Sequence, residues 1–310
     1  MTEFGFIDNI KSLFAALPLN SFEGIGDDCA VLPISATDSL LFTSDMLVED
    51  IHFTRATTSA FDLGYKSLAV NISDVAAMGA TPVASLLSIS LPKGIDPAWA
   101  EEFMRGYHSL SERHNVALVG GDTTSSTGLV TINVTAIGRA QSQRIKRRAD
   151  ARVGDIILTT GKLGDSACGL RDMLSGSLLT PEADIHRRPT PRIEEGAWLG
   201  KRAEVHAMMD ISDGVASDLR HIMSQSGVGA QINIDKLPSR HDIRLALCGG
   251  EDYELLFTAA PDLVEDLIRH FNARFSCGIT PIGEIVSGDE LVWREAGTVI
   301  DLDLMGFRHF

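Results

Sequence analysis

Apolar runs in this chain end repeatedly on an acid beside a glycine, serine or threonine. The cases are "GIGDD" at 24–28, "TSD" at 43–45, "NISD" at 71–74, "VGGD" at 119–122, "DISDG" at 210–214 and "CGGED" at 248–252. A single strand-end aspartate is commonly a turn former or a helix N-cap. Six such ends behind runs that should be buried need another reason, because a buried carboxylate must be paired, hydrogen-bonded or bound to a metal. The fold must therefore present strand and helix ends where their acids can find cations.

Periodicity sharpens this. Thr43 and Asp45 are two apart in "LLFTSDML" and share one face of a strand. Asp210 and Ser212 do the same in "MDISDG", with Asp213 at the start of the next helix. Asn71 and Asp74 share a helix face among Leu68, Ala69, Val70, Ile72 and Val75, a poor place for a solvated acid. In "GIGDDCAVL" the neighbours Asp27 and Asp28 point to opposite faces if extended.

The rhythm along the chain is that of an α/β protein. A helix is predicted over 4–16, stopped by Pro18, followed by strands "CAVLPI" and "SLLFTSDML". A helix over 61–79 ends at Gly79 and Pro82. Then come a buried strand "VASLLSISLP", a helix opened by Pro97, a strand "VALVGGDTTSS" running into a glycine turn, and a strand "LVTINVTAIGRA". Composition turns basic and polar over 139–152, "RAQSQRIKRRADAR", which sets the expected boundary between domains 1–138 and 139–310. The second half supplies strand "GDIILTTG", helix "DSACGLRDML" and the proline-rich "SLLTPEADIHRRPTPRI", read as a surface loop. Helix "EEGAWLGKRA", strand "AMMDISD" and helix "GVASDLRHIMSQSG" follow, and then strand, helix "PDLVEDLIRHFNARF" and strand. With 310 residues, two α/β (α+β) domains with mixed sheets are expected.

Composition excludes several functions. The net charge of −15 argues against a nucleic-acid partner. Carboxylates repel phosphate, so an acidic phosphate site needs metal ions in between. Cys29, Cys168, Cys248 and Cys277 are scattered, without a C-x-x-C pair, and suit reduced thiols in a cytoplasmic protein. The N-terminus lacks the basic start of a secretory signal, and no apolar run is long enough to span a bilayer, so no membrane partner is expected. Oxygen ligands without ligand-spaced His or Cys describe a hard cation such as Mg²⁺, which typically sits between carboxylates and nucleotide phosphates. A Walker A loop is absent: in "TTGKLGDS" the earlier glycine would fall on Ile156. The complete G-x-G-x-x-G, the G-x-S-x-G elbow and the protein-kinase signatures are missing too.

The segments "GIGDDCAVL", "TSDMLVEDIHF", "KSLAVNISDVAAMGATP", "VGGDTT", "DISDGVASDL" and "GGEDYELLF" occur in this order. Together they closely resemble the thiamine-monophosphate kinase family of the aminoimidazole-ribonucleotide-synthetase-like superfamily. The resemblance runs from about Gly24 to the terminal "GFRHF". It implies an N-terminal α/β domain that dimerises through its sheet, a homodimer, and a C-terminal α/β domain closing over ATP. It implies ATP held through several Mg²⁺ ions and acidic loops. By the same resemblance Asp27, Asp28, Thr43, Asp45, Asp74, Asp122, Asp210 and Asp213 are the metal-site residues. Gly121, Asp122, Arg148 and Ser212 would contact ATP, and His52, Glu251 and Phe307 the thiamine phosphate.

The implied reaction is ATP + thiamine phosphate → ADP + thiamine diphosphate, by direct in-line transfer. A phosphate monoester has its second pKa at about 6 and is already largely ionised at neutral pH, so no catalytic general base is expected. The alternatives are another enzyme of the superfamily, of the aminoimidazole ribonucleotide synthetase or selenophosphate synthetase type, or a non-catalytic nucleotide sensor. The selenophosphate type would want a reactive Cys near the N-terminus, and none precedes Cys29. A hydrogenase-maturation relative would end in Cys, where this sequence reads "RHF". A pure sensor would not need so many metal ligands.

Overall fold

The computed structural model describes residues 3–302 and residue 304. Helix α1 (Glu3–Phe14) leads into strands β1 (Ala30–Pro33) and β2 (Asp38–Val48). Helix α2 (Ala60–Ala77), strand β3 (Thr81–Pro92), helix α3 (Pro97–His114) and strands β4 (Ala117–Ser126) and β5 (Thr131–Gln141) complete the first half. Their sheet has the order β1-β2-β5-β3-β4, and only β3 and β4 run parallel.

The second half contains β6 (Ile156–Thr160), α4 (Asp165–Leu174), α5 (Pro181–Arg187), α6 (Ile193–Leu199), β7 (Val205–Asp210) and α7 (Val215–Ser226). Then follow β8 (Gly229–Asn233), α8 (Ile243–Cys248), β9 (Leu255–Ala259), α9 (Val264–Arg274), β10 (Ile279–Val286), β11 (Leu291–Glu295) and β12 (Thr298–Ile300). The second sheet has the order β12-β11-β8-β10-β6-β9-β7. Both sheets are mixed, as expected: β8 and β11 run parallel in an otherwise antiparallel second sheet.

Helix α2 positions the site. Ser59 caps its N-terminus, accepting from the Asp62 N–H. Leu63, Leu68, Ile72 and Val75 are fully buried. The helix packs on β2 and β5, lies along α3, and touches α6 and β7 of the second half. Glycines make these approaches possible. A Cβ at Gly64 would lie 1.9 Å from the Phe103 carbonyl oxygen, and one at Gly106 would lie 1.8 Å from that of Phe61. On the other side, a Cβ at Gly196 of α6 would lie 2.2 Å from the Ala76 carbonyl oxygen. Backbone thus meets backbone on both flanks of α2.

Three expectations need correction. Strand β4 does not run into a glycine turn: after a register shift that skips Val119 it continues through "GGD" to Ser126, paired with β3. A Cβ at Gly121 would lie 1.7 Å from the Leu87 carbonyl oxygen, so the glycine there serves close strand approach. Strand β3 is not uniformly buried, because β4 beside it is exposed along nearly its whole length. The proline-rich segment is not simply a surface loop: Thr180 caps α5, and His186 and Arg187 on that helix are buried. Strand β5 also carries through positions 138 and 139 before ending at Gln141.

Replacing Gly64 by Ala gains at most about 1 kcal/mol of helix propensity. It forces α2 away from α3, at a cost of about 1–3 kcal/mol or more. The expected outcome is a lower urea midpoint at unchanged m-value.

Candidate active site

The acids predicted to act together come from three elements and both halves of the chain. Asp28 precedes β1, Asp74 lies in the last turn of α2, and Asp210 ends β7. Each offers a carboxylate oxygen within 4.8 Å of the others. Thr43 of β2 donates from Oγ1 to Asp74 Oδ2 at 2.5 Å. Ser73, next to Asp74, donates to Asp210 Oδ2 at 2.5 Å and so ties the two halves together. Asn71, on the same face of α2, accepts from the Asp45 N–H at 2.9 Å and donates to the Ser67 carbonyl. Asp45 follows Thr43 on the same strand face and interacts electrostatically with both Asp28 and Asp74.

The positive partner comes from the basic stretch after β5. Arg148 donates from Nη2 to Asp28 Oδ1 at 2.5 Å, and its N–H donates to Asp27 Oδ1 at 3.3 Å. Its neighbour Arg147 makes a two-pronged contact with Glu23. The stretch is therefore docked onto the "GIGDD" loop. Burial opposes the Arg148 charge, but Asp28, Asp27 and Asp210 together outweigh it and raise the guanidinium pKa. The other Asp28 oxygen, Oδ2, is buried and has no hydrogen-bond partner among the described residues.

Such crowding favours protons unless cations are present. Burial, then Asp28, pushes Asp27 up to about 7. The same two causes push Asp45 up to about 6 and Asp210 up to about 7. Burial, followed by Asp45, Asp210 and Asp28, raises Asp74 well above the carboxylate range. The donor set is all oxygen, it includes an orphaned buried carboxylate oxygen, and Asp27, Asp45, Asp74 and Asp210 are raised above the ordinary carboxylate range. That combination fits a hard divalent cation.

Glu251 lies in the loop between α8 and β9, beside the "DISDG" turn: its N–H donates to the Ser212 carbonyl at 2.8 Å. Its carboxylate takes Lys66 Nζ of α2 at 2.9 Å. The imidazole of His186 on α5 lies 3.3 Å from the same carboxylate. Burial works to raise the Glu251 pKa, but Lys66, with smaller contributions from His186 and His52, lowers it on balance. The His52 ring accepts the Val48 N–H at Nδ1, 3.0 Å away. His52 and Glu251 are thus assembled from opposite halves of the chain.

Not every predicted residue joins these groups. Asp213 and Ser212 are partly exposed at the start of α7, and the Asp213 N–H donates to Asp218 at 3.2 Å. Gly121 and Asp122 lie on exposed β4. In the sheet Asp45 sits beside Val134, Val134 beside Leu87 and Leu87 beside Gly121. Three strand spacings, about 14 Å, thus separate β2 from β4. Phe307 lies outside the described residues.

Four residues escaped the sequence reading: Lys66, Ser73, His186 and Asp218. Lys66 and Ser73 are seven apart on one helical stripe, and a Lys inside an apolar run was the available signal. Asp218 is buried, and burial, then Asp213, raises its pKa well above the usual range.

Two mixed-sheet halves with a carboxylate cluster at their junction define a class, and comparison with known proteins identifies it. The family model for AIR synthase related protein, N-terminal domain, matches residues 26–140. That for the C-terminal domain matches residues 152–294. The chain belongs to the thiamine-monophosphate kinase family within this class. It is 37% identical to thiamine-monophosphate kinase of Salmonella typhimurium, covering 99% of this chain and 98% of that protein. It is 38% identical to that of Escherichia coli K12, covering 93% and 91%. The solved structure of AaThiL complexed with AMPPCP and TMP aligns with TM-score 0.85 and 32% identity over 100% of this chain and 97% of that one.

A pH test follows. Asp27, Asp45 and Asp210 have folded pKa values above their ordinary 3.8. In metal-free protein their contribution is thus fully present only below about 4 and is lost as pH rises through about 7. A cation that displaces these protons restores it. The rise in Tm on adding millimolar Mg²⁺ to chelator-treated protein should therefore be small near about pH 5 and large near about pH 8. His186 and His221, both held down to about 4 chiefly by burial, titrate with the opposite sign. They do so with and without Mg²⁺, so the difference isolates the acids.

Proposed function

We propose that the protein transfers the terminal phosphoryl group of ATP to thiamine monophosphate, giving ADP and thiamine diphosphate. The observation that carries this reading is the cluster of Asp28, Asp74 and Asp210, which offer carboxylate oxygens within 4.8 Å of one another and include the buried, unpartnered Asp28 Oδ2. The family to which the chain belongs and its alignment with a complex of AMPPCP and TMP support it. A phosphate oxygen of the acceptor forms the new P–O bond to the γ-phosphorus. The bond to the bridging oxygen breaks, and its electron pair leaves with ADP. The acceptor phosphate is already ionised, so the residues have to position two polyanions in line rather than abstract a proton.

The metal-site residues in this reading are Asp28, Asp74 and Asp210, with Asp27, Thr43, Asp45 and Asp213 around them and Asp122 more remote. Mg²⁺ held there supplies neutralisation of phosphate charge. Arg148, which holds Asp28, is proposed to contact the same phosphates by charge-assisted hydrogen bonding. Gly121 and Ser212 are proposed as backbone neighbours of the nucleotide. Glu251 and His52 are proposed to receive the acceptor, with the Glu251 carboxylate facing the cationic thiazolium.

The functional division proposed is 1–138 for metal, ATP and dimer contacts and 139–310 for closure over the nucleotide. A homodimer is proposed through the first sheet. Its edge strand β4 is exposed on both faces, with Leu118 at 44% and Val119 at 60%. An edge strand bare of cover is otherwise an aggregation liability. No helix among the described residues is long and apolar enough to cross a membrane, consistent with the cytoplasmic location proposed.

Replacing Asp74 by Asn keeps an acceptor for the Thr43 hydroxyl but removes the charge. It should lower kcat by about 100-fold or more at unchanged circular dichroism. Thiamine diphosphate formation, followed chromatographically, checks this, and full activity would refute the metal scheme. Light scattering should give a dimer mass for the native chain and a monomer for Val119→Arg; a monomeric native protein would refute the sheet interface.

A further inference from the structure

Lys66 is only 2% exposed in the middle of α2, an unusual place for an ammonium group. It donates from Nζ to Glu251 Oε2 at 2.9 Å and lies 3.3 Å from His186 Nε2. Ser166 Oγ is 3.0 Å from His186 Nδ1. Burial, then Lys66, pushes His186 down to about 4, so the ring is neutral. A neutral imidazole beside an ammonium presents its Nε2 lone pair and keeps its proton on Nδ1 for the serine oxygen.

Lys66 donates to Oε2 of Glu251, and the His186 Nε2 that accepts from Lys66 lies 3.3 Å from the same oxygen. The Glu251 side chain remains 24% exposed. The backbone is fixed as well. Glu251 and Tyr253 have φ of 64° and 51°, in the left-handed region that non-glycine residues avoid. Their N–H groups donate to the Ser212 and Ile211 carbonyls, and Asp252 between them accepts from the Gly164 and Ser166 N–H groups. A buried ion pair is commonly no more stabilising than apolar packing of the same volume, so stability alone does not account for Lys66.

We propose that Lys66, anchored by His186, is a positioning residue of the acceptor-substrate site, clamping one oxygen of Glu251 so that the other faces the cationic ring of the acceptor. This rests on the reading of Glu251 as an acceptor contact. Lys66 lies behind the carboxylate, so it acts through Glu251 and not on substrate. The clamp also crosses the junction, because Lys66 belongs to α2 and its partners to the second half.

Steady-state kinetics with each substrate varied in turn tests the clamp. Lys66→Met should raise KM for thiamine monophosphate about tenfold or more, leave KM for ATP within about threefold, and be largely rescued by Lys66→Arg. Once Glu251→Gln is present, adding Lys66→Met should weaken acceptor binding by less than about twofold, measured by calorimetry. An unchanged acceptor KM, a parallel rise in both KM values, or additive losses in the double variant overturns the proposal. Should Lys66→Met not fold, His186→Leu keeps the ion pair without its anchor and carries the same expectation and the same refutation. A native protein that makes no thiamine diphosphate refutes the functional reading and this inference with it. Native activity with a raised acceptor KM in Glu251→Gln but not in Lys66→Met refutes the inference alone.

Discussion

Mutual repulsion among Asp28, Asp74 and Asp210 is the constraint on which the site depends. Their oxygens lie within 4.8 Å, where each fully ionised pair costs on the order of 3 kcal/mol at an effective dielectric of about 20. Three such pairs approach the whole stability of a typical domain, about 5–15 kcal/mol. Arg148 neutralises one edge of the group, and the hydroxyls of Thr43 and Ser73 hold Asp74 and Asp210. Nothing described in the chain satisfies Asp28 Oδ2. Protons or cations must supply the balance, and at neutral pH a hard divalent ion competes well for such a set.

Helix α2 explains how acids so far apart in sequence meet. One face carries Asn71 and Asp74 toward β2, while the Lys66–Ser73 stripe reaches Glu251, His186 and Asp210 of the second half. Close glycine contacts with α3 and α6 hold the helix from both sides. The proposed cation site and the proposed acceptor site therefore share one support. They are linked again where the Glu251 N–H meets the Ser212 carbonyl. A shift of α2 would disturb both at once.

Much of this was legible because burial and charge are in open conflict in the sequence. Asp74 inside "AVNISDVAAM" and Asp210 after "AMM" could only be explained by partners. The two mixed sheets followed from alternating strand and helix patterns. The misreadings have local causes. In "VALVGGDTTSS" the glycines signal a turn, but they serve β4's close approach to β3, a tertiary fact. In the proline-rich segment Pro181 is a helix N1 residue behind the Thr180 cap, a short pattern that composition hid, and with it went buried His186. Lys66 carried no local signal of its role because its partners lie 120 and 185 residues away.

The assembly of one cation site from both halves of the chain is most directly tested by diffraction from crystals grown with Mn²⁺ and a non-hydrolysable ATP analogue, recorded at the manganese edge. The account expects anomalous density bounded by the carboxylates of Asp28, Asp74 and Asp210. Manganese bound only elsewhere, with those three carboxylates hydrogen-bonded to one another or to Arg148 alone, would contradict it.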